Sequence, residues 1–426
     1  MCICIITFEK REIKMKKAKM MKKYADLIAT VGIGANSKQD VVIKAPVEAY
    51  QFVRYLSLEL YNNKCRSVKV DWKDSQLDKQ NLMHMSLSRL DEIQEWEKAK
   101  EIERTDKSYA MINLIGEDPS AFKSVNSDKL KRRNKAVVNA FQPLKKPYHN
   151  NELAWCIAAV PTKGWAKRIF PKLSPTQAVV KLWDAIYEAC YIDEKTSPIE
   201  NWEKHISLLQ SRSEKLNNYN FKELHYTNKL GTDFTVGLAK NHIWCSARAI
   251  QTRNGLPFVP NLPTQEIFTM PDNHNINGRV YSARPLSTNG VIVDKFWIEF
   301  KNGKAVAFDA EEGKQQLEEI INFDEGSSSL GEVALIPYDS PISKQGIIYQ
   351  ETLFDENASC HLALGQSFNE NLKNADNLSE EQLKEVGANQ SLRHVDFMVG
   401  TKDLNIDGID YEGNVIPVFR NGNFVF

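Results

Sequence analysis

From Tyr24 to about residue 220, apolar runs alternate with stretches of helical period. Beyond that point the runs shorten and glycine turns punctuate them. VVIKA (41–45) is a β-branched run that predicts a buried strand. PVEAYQFVRYLSLELYNN (46–63) follows with apolar residues at helical spacing, and Pro46 sits where a helix can begin. SVKVDW (67–72) alternates as a second strand, so strand, helix and strand form a βαβ unit within about 30 residues. YAMINLIG (109–116) and LAWCIAAVP (153–161) predict two further buried strands. DEIQEWEKAKEIERTDK (91–107) and KLKRRNKAVV (129–138) carry charges at helical spacing, which predicts solvated helix faces.

After NNYNFKELHYTN (217–228) the pattern becomes that of short strands: GTDFTVGLA (231–239), GRVYSA (278–283), GVIVDKFWIEFKNGKAVAF (290–308) and NVIPVFRNGNFVF (414–426). KNGK (301–304) and RNGN (420–423) are hairpin turns by composition, and LSEEQLKEV (378–386) predicts a helical insertion. The expected architecture is an α/β N-terminal domain with a largely parallel sheet, followed by a β-rich (α+β) catalytic domain. The expected boundaries are 21–225 and 226–426. Residues 1–20, an apolar start (MCICIITF) followed by a basic run, are expected to be an extraneous tail, with Met15, Met20 and Met21 close behind.

Composition narrows the function. The 426 residues balance Lys+Arg 55 against Asp+Glu 55, so no basic field exists to condense on phosphate, and a general nucleic-acid binder is disfavoured. No apolar stretch approaches the 18–20 residues that span a bilayer, and MCICIITF lacks the flanks of a secretory signal. Seven scattered cysteines without a CxxC predict reduced thiols in a cytoplasmic protein. GxxxxGK[ST], GxSxG and HExxH are all missing, VGIGAN (31–36) precedes its strand and is a turn, and Cys360 beside His361 predicts a buried structural thiol.

The candidate chemistry lies in the second half. Glu266, Glu332, Glu356, His361, His394 and Asp396 sit in apolar or turn-rich segments where a solvated carboxylate is out of place. A buried carboxylate must be paired or bind a metal. His394-x-Asp396 puts two side chains on one face of a strand, and Glu356-x4-His361 brings two groups together across a turn into a helix. Mixed carboxylate and imidazole ligation suits zinc, cobalt or manganese, and six groups exceed the ligands of one catalytic zinc. Two ions about 3.5–4 Å apart, sharing a bridging carboxylate, match that number. A plainer reading stays open, because a histidine in an apolar run is commonly a satisfied core residue and HxD alone is a weak signal.

The same segments resemble the dinuclear-metal aminopeptidases of the aminopeptidase S / aminopeptidase T type. GTDFTVGLAKNHIW, NLPTQEIFTMPD, GEVALIPYDSPIS, TLFDENASCHLALG and HVDFMVGTKDLNIDG carry the likeness, with KYADLIATVGI, WAKRIFPKLS and the ENWEKHI region in the first half. The resemblance implies metal ligands at Glu266, Glu332, His361, His394 and Asp396, with Glu332 expected to bridge. It implies Glu356 as a further ligand or a proton-transfer group. It also implies two divalent ions per subunit (zinc, cobalt, manganese or magnesium), a homodimer, and peptide substrates with a free N-terminus, cleaved one residue at a time. A dipeptidase, an amidase or a catalytically weak metal-binding homologue are the alternatives. Phe368 stands seven positions after His361, where the family usually has a tyrosine whose hydroxyl is placed to serve the oxyanion. Tyr338 and Tyr349 are the expected substitutes for that donor.

Overall fold

The computed structural model describes residues 2–288 and 291–426, with backbone alone at 2–14, 142, 143, 145, 149 and 376. Two compact units emerge, one of residues 1–205 with 248–262, the other of 206–247 with 263–426.

The first unit is built on a parallel sheet. Its strands are β1 (Asp40–Pro46), β2 (Ser67–Lys73), β3 (Ala110–Ile115) and β4 (Trp155–Ala159), in the order β2-β1-β3-β4, with Asn261–Leu262 added beside β4. Val41, Val42 and Ile43 are fully buried, as a β-branched run in a sheet covered on both faces must be. The helix Tyr50–Asn62 joins β1 to β2 and buries Phe52, Val53, Leu56 and Leu60, the stripe its sequence predicts. The helix Pro175–Ala189 starts on a Ser174–Gln177 capping box with Pro175 in its first turn. At the chain start, α1 runs Cys2–Leu27, and Met20, Met21, Tyr24, Ala25 and Leu27 along it are buried.

One charged helix departs from expectation. Glu95–Asp106 is helical, but Arg104 is buried, donating to Asp71 Oδ2 at 2.6 Å and to Glu101 Oε1 at 2.8 Å. Burial works to raise the Asp71 carboxyl, and Arg104 with Lys100 overrides it, holding it at about 2. The residues that look solvated in sequence include an anchored ion pair.

The second unit holds two antiparallel sheets. The larger has nine strands, among them Val291–Lys301 and Lys304–Glu312, paired as the predicted hairpin. Asn302 and Gly303 both take positive φ, as do Asn421 and Gly422 at the other Asn-Gly turn. Gly290, at the start of the predicted GVIVDKFW strand, lies outside the described residues. The helical insertion is present as Glu380–Glu385, capped by Ser379. The smaller sheet has four strands, β5 (Ile267–Thr269), β6 (Leu330–Leu335), β7 (His361–Gly365) and β8 (His394–Met398), hydrogen-bonded in that order.

Candidate metal centre

Strand alternation and register place the candidate ligands on one face of the four-stranded sheet. Val333, Leu335, Leu362, Leu364 and Phe397 point to the other face, and all are buried. Across the ladder, Glu332 pairs with Ala363 and Ala363 with Asp396, forming one row. His361 pairs with Ala334, and His394 with Gly365. Glu332, Asp396 and His394 thus face alanine or glycine, and His361 faces Ala334 on one side and Met398 on the other, which leaves room on the β6 side for long side chains to converge. Glu266 lies immediately before β5, two residues ahead of Phe268, which pairs with Ala334.

A bulge sets Glu332 on this face. Leu330 pairs with Leu364 while Glu332 pairs with Ala363, so the step between them contains the extra residue Gly331. Residues two apart normally share a face, and the bulge reverses that here, sending Leu330 to the apolar side. A Cβ on Gly331 would lie 2.3 Å from Gly365 O and 2.4 Å from Gln366 O, so only glycine fits.

Both imidazoles are oriented by their Nδ1 atoms. His361 Nδ1 lies 3.0 Å from the Glu356 carbonyl oxygen and His394 Nδ1 lies 2.8 Å from that of Gln366. A carbonyl only accepts, so each Nδ1 carries the hydrogen and each Nε2 turns to the carboxylates. His361 Nε2 is 3.3 Å from Glu332 Oε1 and 3.5 Å from Glu266 Oε2. His394 Nε2 is 3.1 Å from Asp396 Oδ1 and 3.6 Å from Glu332 Oε2. Glu332 thus turns one oxygen toward each imidazole. Two ligand groups result, Glu266–Glu332–His361 and Glu332–His394–Asp396, with the donor atoms of each within 4.8 Å of one another.

The electrostatics are those of crowded acids in a dry place. Burial, then the nearby Glu332, pushes the Glu266 carboxyl up to about 8. Burial would lower both imidazoles, but the carboxylates outweigh it, raising His361 to about 9 and His394 to about 10. Asp396 is driven the other way: burial opposes its ionisation, and His394 with His361 overcomes this, holding it at about 2. Protons on the imidazoles thus do the work that cations would do. Mixed oxygen and nitrogen donors at this spacing fit divalent ions.

The remaining two candidates stand beside these groups. Glu356 opens a 3-10 turn, Glu356–Ala358, that leads through Ser359 and Cys360 into β7. The expected turn into a helix is instead a turn into a strand, and the main-chain carbonyl of Glu356 makes the bond to His361. Burial first, then Asp396 and Glu266, raises the Glu356 carboxyl well above its usual range, and its side chain bonds Asp396. Glu356 belongs to neither ligand group among the described residues. Phe368 packs its ring 4.7 Å from that of His394. Tyr349, an expected substitute donor, is buried against Phe354 with its hydroxyl bonded to Gln345. Cys360 is the buried thiol its context predicts, with Sγ 3.3 Å from Ile336 O.

Three supporting residues escape a motif reading: Ala363, Gly331 and the fully buried Asn357, whose Oδ1 accepts the N–H of Gln265 beside Glu266. Only the alternation across paired strands exposes the first two, because register is not written in one strand alone.

A family model described as thermophilic metalloprotease (M29) matches residues 17–424. Aminopeptidase PepS of Streptococcus thermophilus is 38% identical, over 95% of this chain and 98% of its own. Aminopeptidase AmpS of Bacillus subtilis (strain 168) is 36% identical, over 95% and 98% respectively. The solved structure titled wild-type AmpT from Thermus thermophilus superposes with TM-score 0.90 at 34% identity, covering 96% of this chain and 100% of that one.

Proposed function

The chain belongs to the thermophilic metalloprotease (M29) family and is a metal-dependent aminopeptidase; from that premise we propose that it works with two divalent ions bridged by Glu332. The observation behind the pair of ions is the Glu332 carboxylate, whose two oxygens face two different imidazoles at 3.3 and 3.6 Å. Glu266, Glu332 and His361 would hold one ion, and Glu332, His394 and Asp396 the other. Three carboxylates and two imidazoles favour zinc, cobalt or manganese over magnesium.

When bound, the ions supply an acidified water and a Lewis acid for the scissile carbonyl. The chain's own residues do the rest. His361 and His394 keep their Nε2 atoms aimed through the carbonyls of Glu356 and Gln366. Glu356, whose carboxyl burial and its acidic neighbours raise well above the usual range, would carry a proton to the leaving amine. A free N-terminal amine, once deprotonated, is a nitrogen donor of the kind divalent ions accept, and N-acetylation removes it. The substrates we propose are short peptides shortened by one residue per cycle. The acting form would be a cytoplasmic homodimer, a reading supported by family resemblance and by the free Cys65, Cys156, Cys190, Cys245 and Cys360. No helix among the described residues is long and apolar enough to cross a membrane.

The test is hydrolysis of leucine p-nitroanilide and its N-acetylated form by chelated protein refilled with single metals. An aminopeptidase cleaves the first and spares the second. Equal cleavage of both would assign the centre to a general amidase, and cleavage of neither to a binding role.

A further inference from the structure

We infer that Asn357 is a positioning residue that ties the Glu266 arm of the metal centre to the segment carrying Glu356; the inference rests on the two-ion reading above. Asn357 is completely buried. Its Oδ1 accepts the Gln265 N–H at 2.7 Å, and its Nδ2 donates to the Leu353 carbonyl at 2.9 Å. An N–H can only donate and a carbonyl can only accept, so the orientation of the amide is fixed by its partners. The same Nδ2 lies 3.5 Å from Glu356 Oε1.

One side chain therefore spans three places. Gln265 is the residue before Glu266, at the entry to β5. Leu353 belongs to the short helix Thr352–Asp355, whose end delivers Glu356. The Glu356 carbonyl in turn orients His361. The Ser340 hydroxyl also lies 3.4 Å from the carbonyls of Asn357 and of Ala358, seating the turn from its other side. If the amide is lost, this link between the Glu266 entry and the Glu356 turn is lost with it, and the distances across the centre relax.

The experiment compares Asn357→Ala and Asn357→Asp with Asn217→Ala. Asn217 makes an equivalent two-bond tie, from Trp244 N at 2.9 Å and to Trp244 O at 3.0 Å, on a segment without metal-ligating residues. Asn357→Asp keeps the acceptor for Gln265 but puts an oxygen against the Leu353 carbonyl and Glu356. At saturating cobalt, both Asn357 variants should lose about 100-fold in kcat with KM little changed, the scale of a small misplacement of reacting groups. Their visible cobalt absorption should also change, while Asn217→Ala keeps the wild-type spectrum and kcat at a similar loss of Tm. Unchanged kcat and cobalt spectrum in folded Asn357→Ala would overturn the inference. If the wild-type chain cleaves no aminoacyl anilide, the function proposal fails, and the cobalt spectra still decide the role of Asn357.

Discussion

Glu332 and Asp396 stand in the same cross-strand row, with only Ala363 between them. Two carboxylates at that separation repel each other in a buried setting unless positive charge lies between. The pair is therefore a built demand for cations, met by imidazolium protons in the absence of metal.

Glu332→Gln keeps the shape and removes the shared charge. Both ions should bind more weakly and hydrolysis should fall at least about 100-fold, the scale of changes at metal ligands and their supports. Glu266→Gln should weaken one ion more than the other. Elemental analysis beside anilide hydrolysis checks both, and full metal content with full activity in Glu332→Gln would remove it from the bridge.

Ala363 sets the spacing of that row. Ala363→Val adds two methyl groups between Glu332 and Asp396. Overpacking of this kind typically costs about 1–3 kcal/mol, so the fold should survive with a lowered Tm. Metal affinity should suffer far more than stability. Isothermal titration with cobalt against a thermal melt separates the two, and unaltered affinity would mean that the row is wider than its register indicates.

Metal uptake should strengthen as pH rises. In the metal-free protein His361 is held at about 9, His394 at about 10 and Glu266 at about 8. At neutral pH these groups carry protons that binding must expel, so affinity climbs through that range and protons are released. The fold responds in the opposite sense. A histidine pKa raised from 6.5 contributes stability that is complete below 6.5 and lost as pH rises through 9 to 10. Asp396, held at about 2, contributes stability that fades only as pH falls below its ordinary 3.8, outside this window. Metal-free protein should melt lower at pH 9.5 than at pH 6.5, and saturating metal should erase the difference. A metal-free Tm rising with pH would contradict the assignment.

Phe368→Tyr should raise turnover. The ring packs beside His394, and Tyr349 has its hydroxyl engaged elsewhere. One oxyanion donor is typically worth about 100- to 1000-fold in turnover, so an added hydroxyl that reaches the oxyanion should bring part of that gain. Metal content and Tm should stay as they are. Flat or reduced kcat would show that the ring only fills space at this position.

Much of this was legible in the chain because its chemistry is local. The VVIKA strand, the helix after it and the two Asn-Gly hairpins carry their periods and turns in consecutive residues. Glu332 before VAL announced itself as a carboxylate in a buried strand. Other features depend on partners distant in sequence. Arg104 looked solvated because its partner Asp71 lies on β2, 33 residues away. Glu356 was expected to act through its side chain alone, yet its main-chain carbonyl orients His361, and no residue pattern encodes a carbonyl's partner. Ala363 and Asn357 have neither charge nor motif. Their importance lies in what they stand between.

The bulge at Gly331 also gives the centre a part in folding. A β6 strand that kept the Leu330–Leu364 pair but ran on along β7 without that extra residue would put Glu332 on the same face as Leu330, toward the apolar layer. Such a hairpin could satisfy many of its backbone bonds while having no place for an ion. Bound metal would therefore add its stability only to chains whose register is correct and leave slipped ones without it.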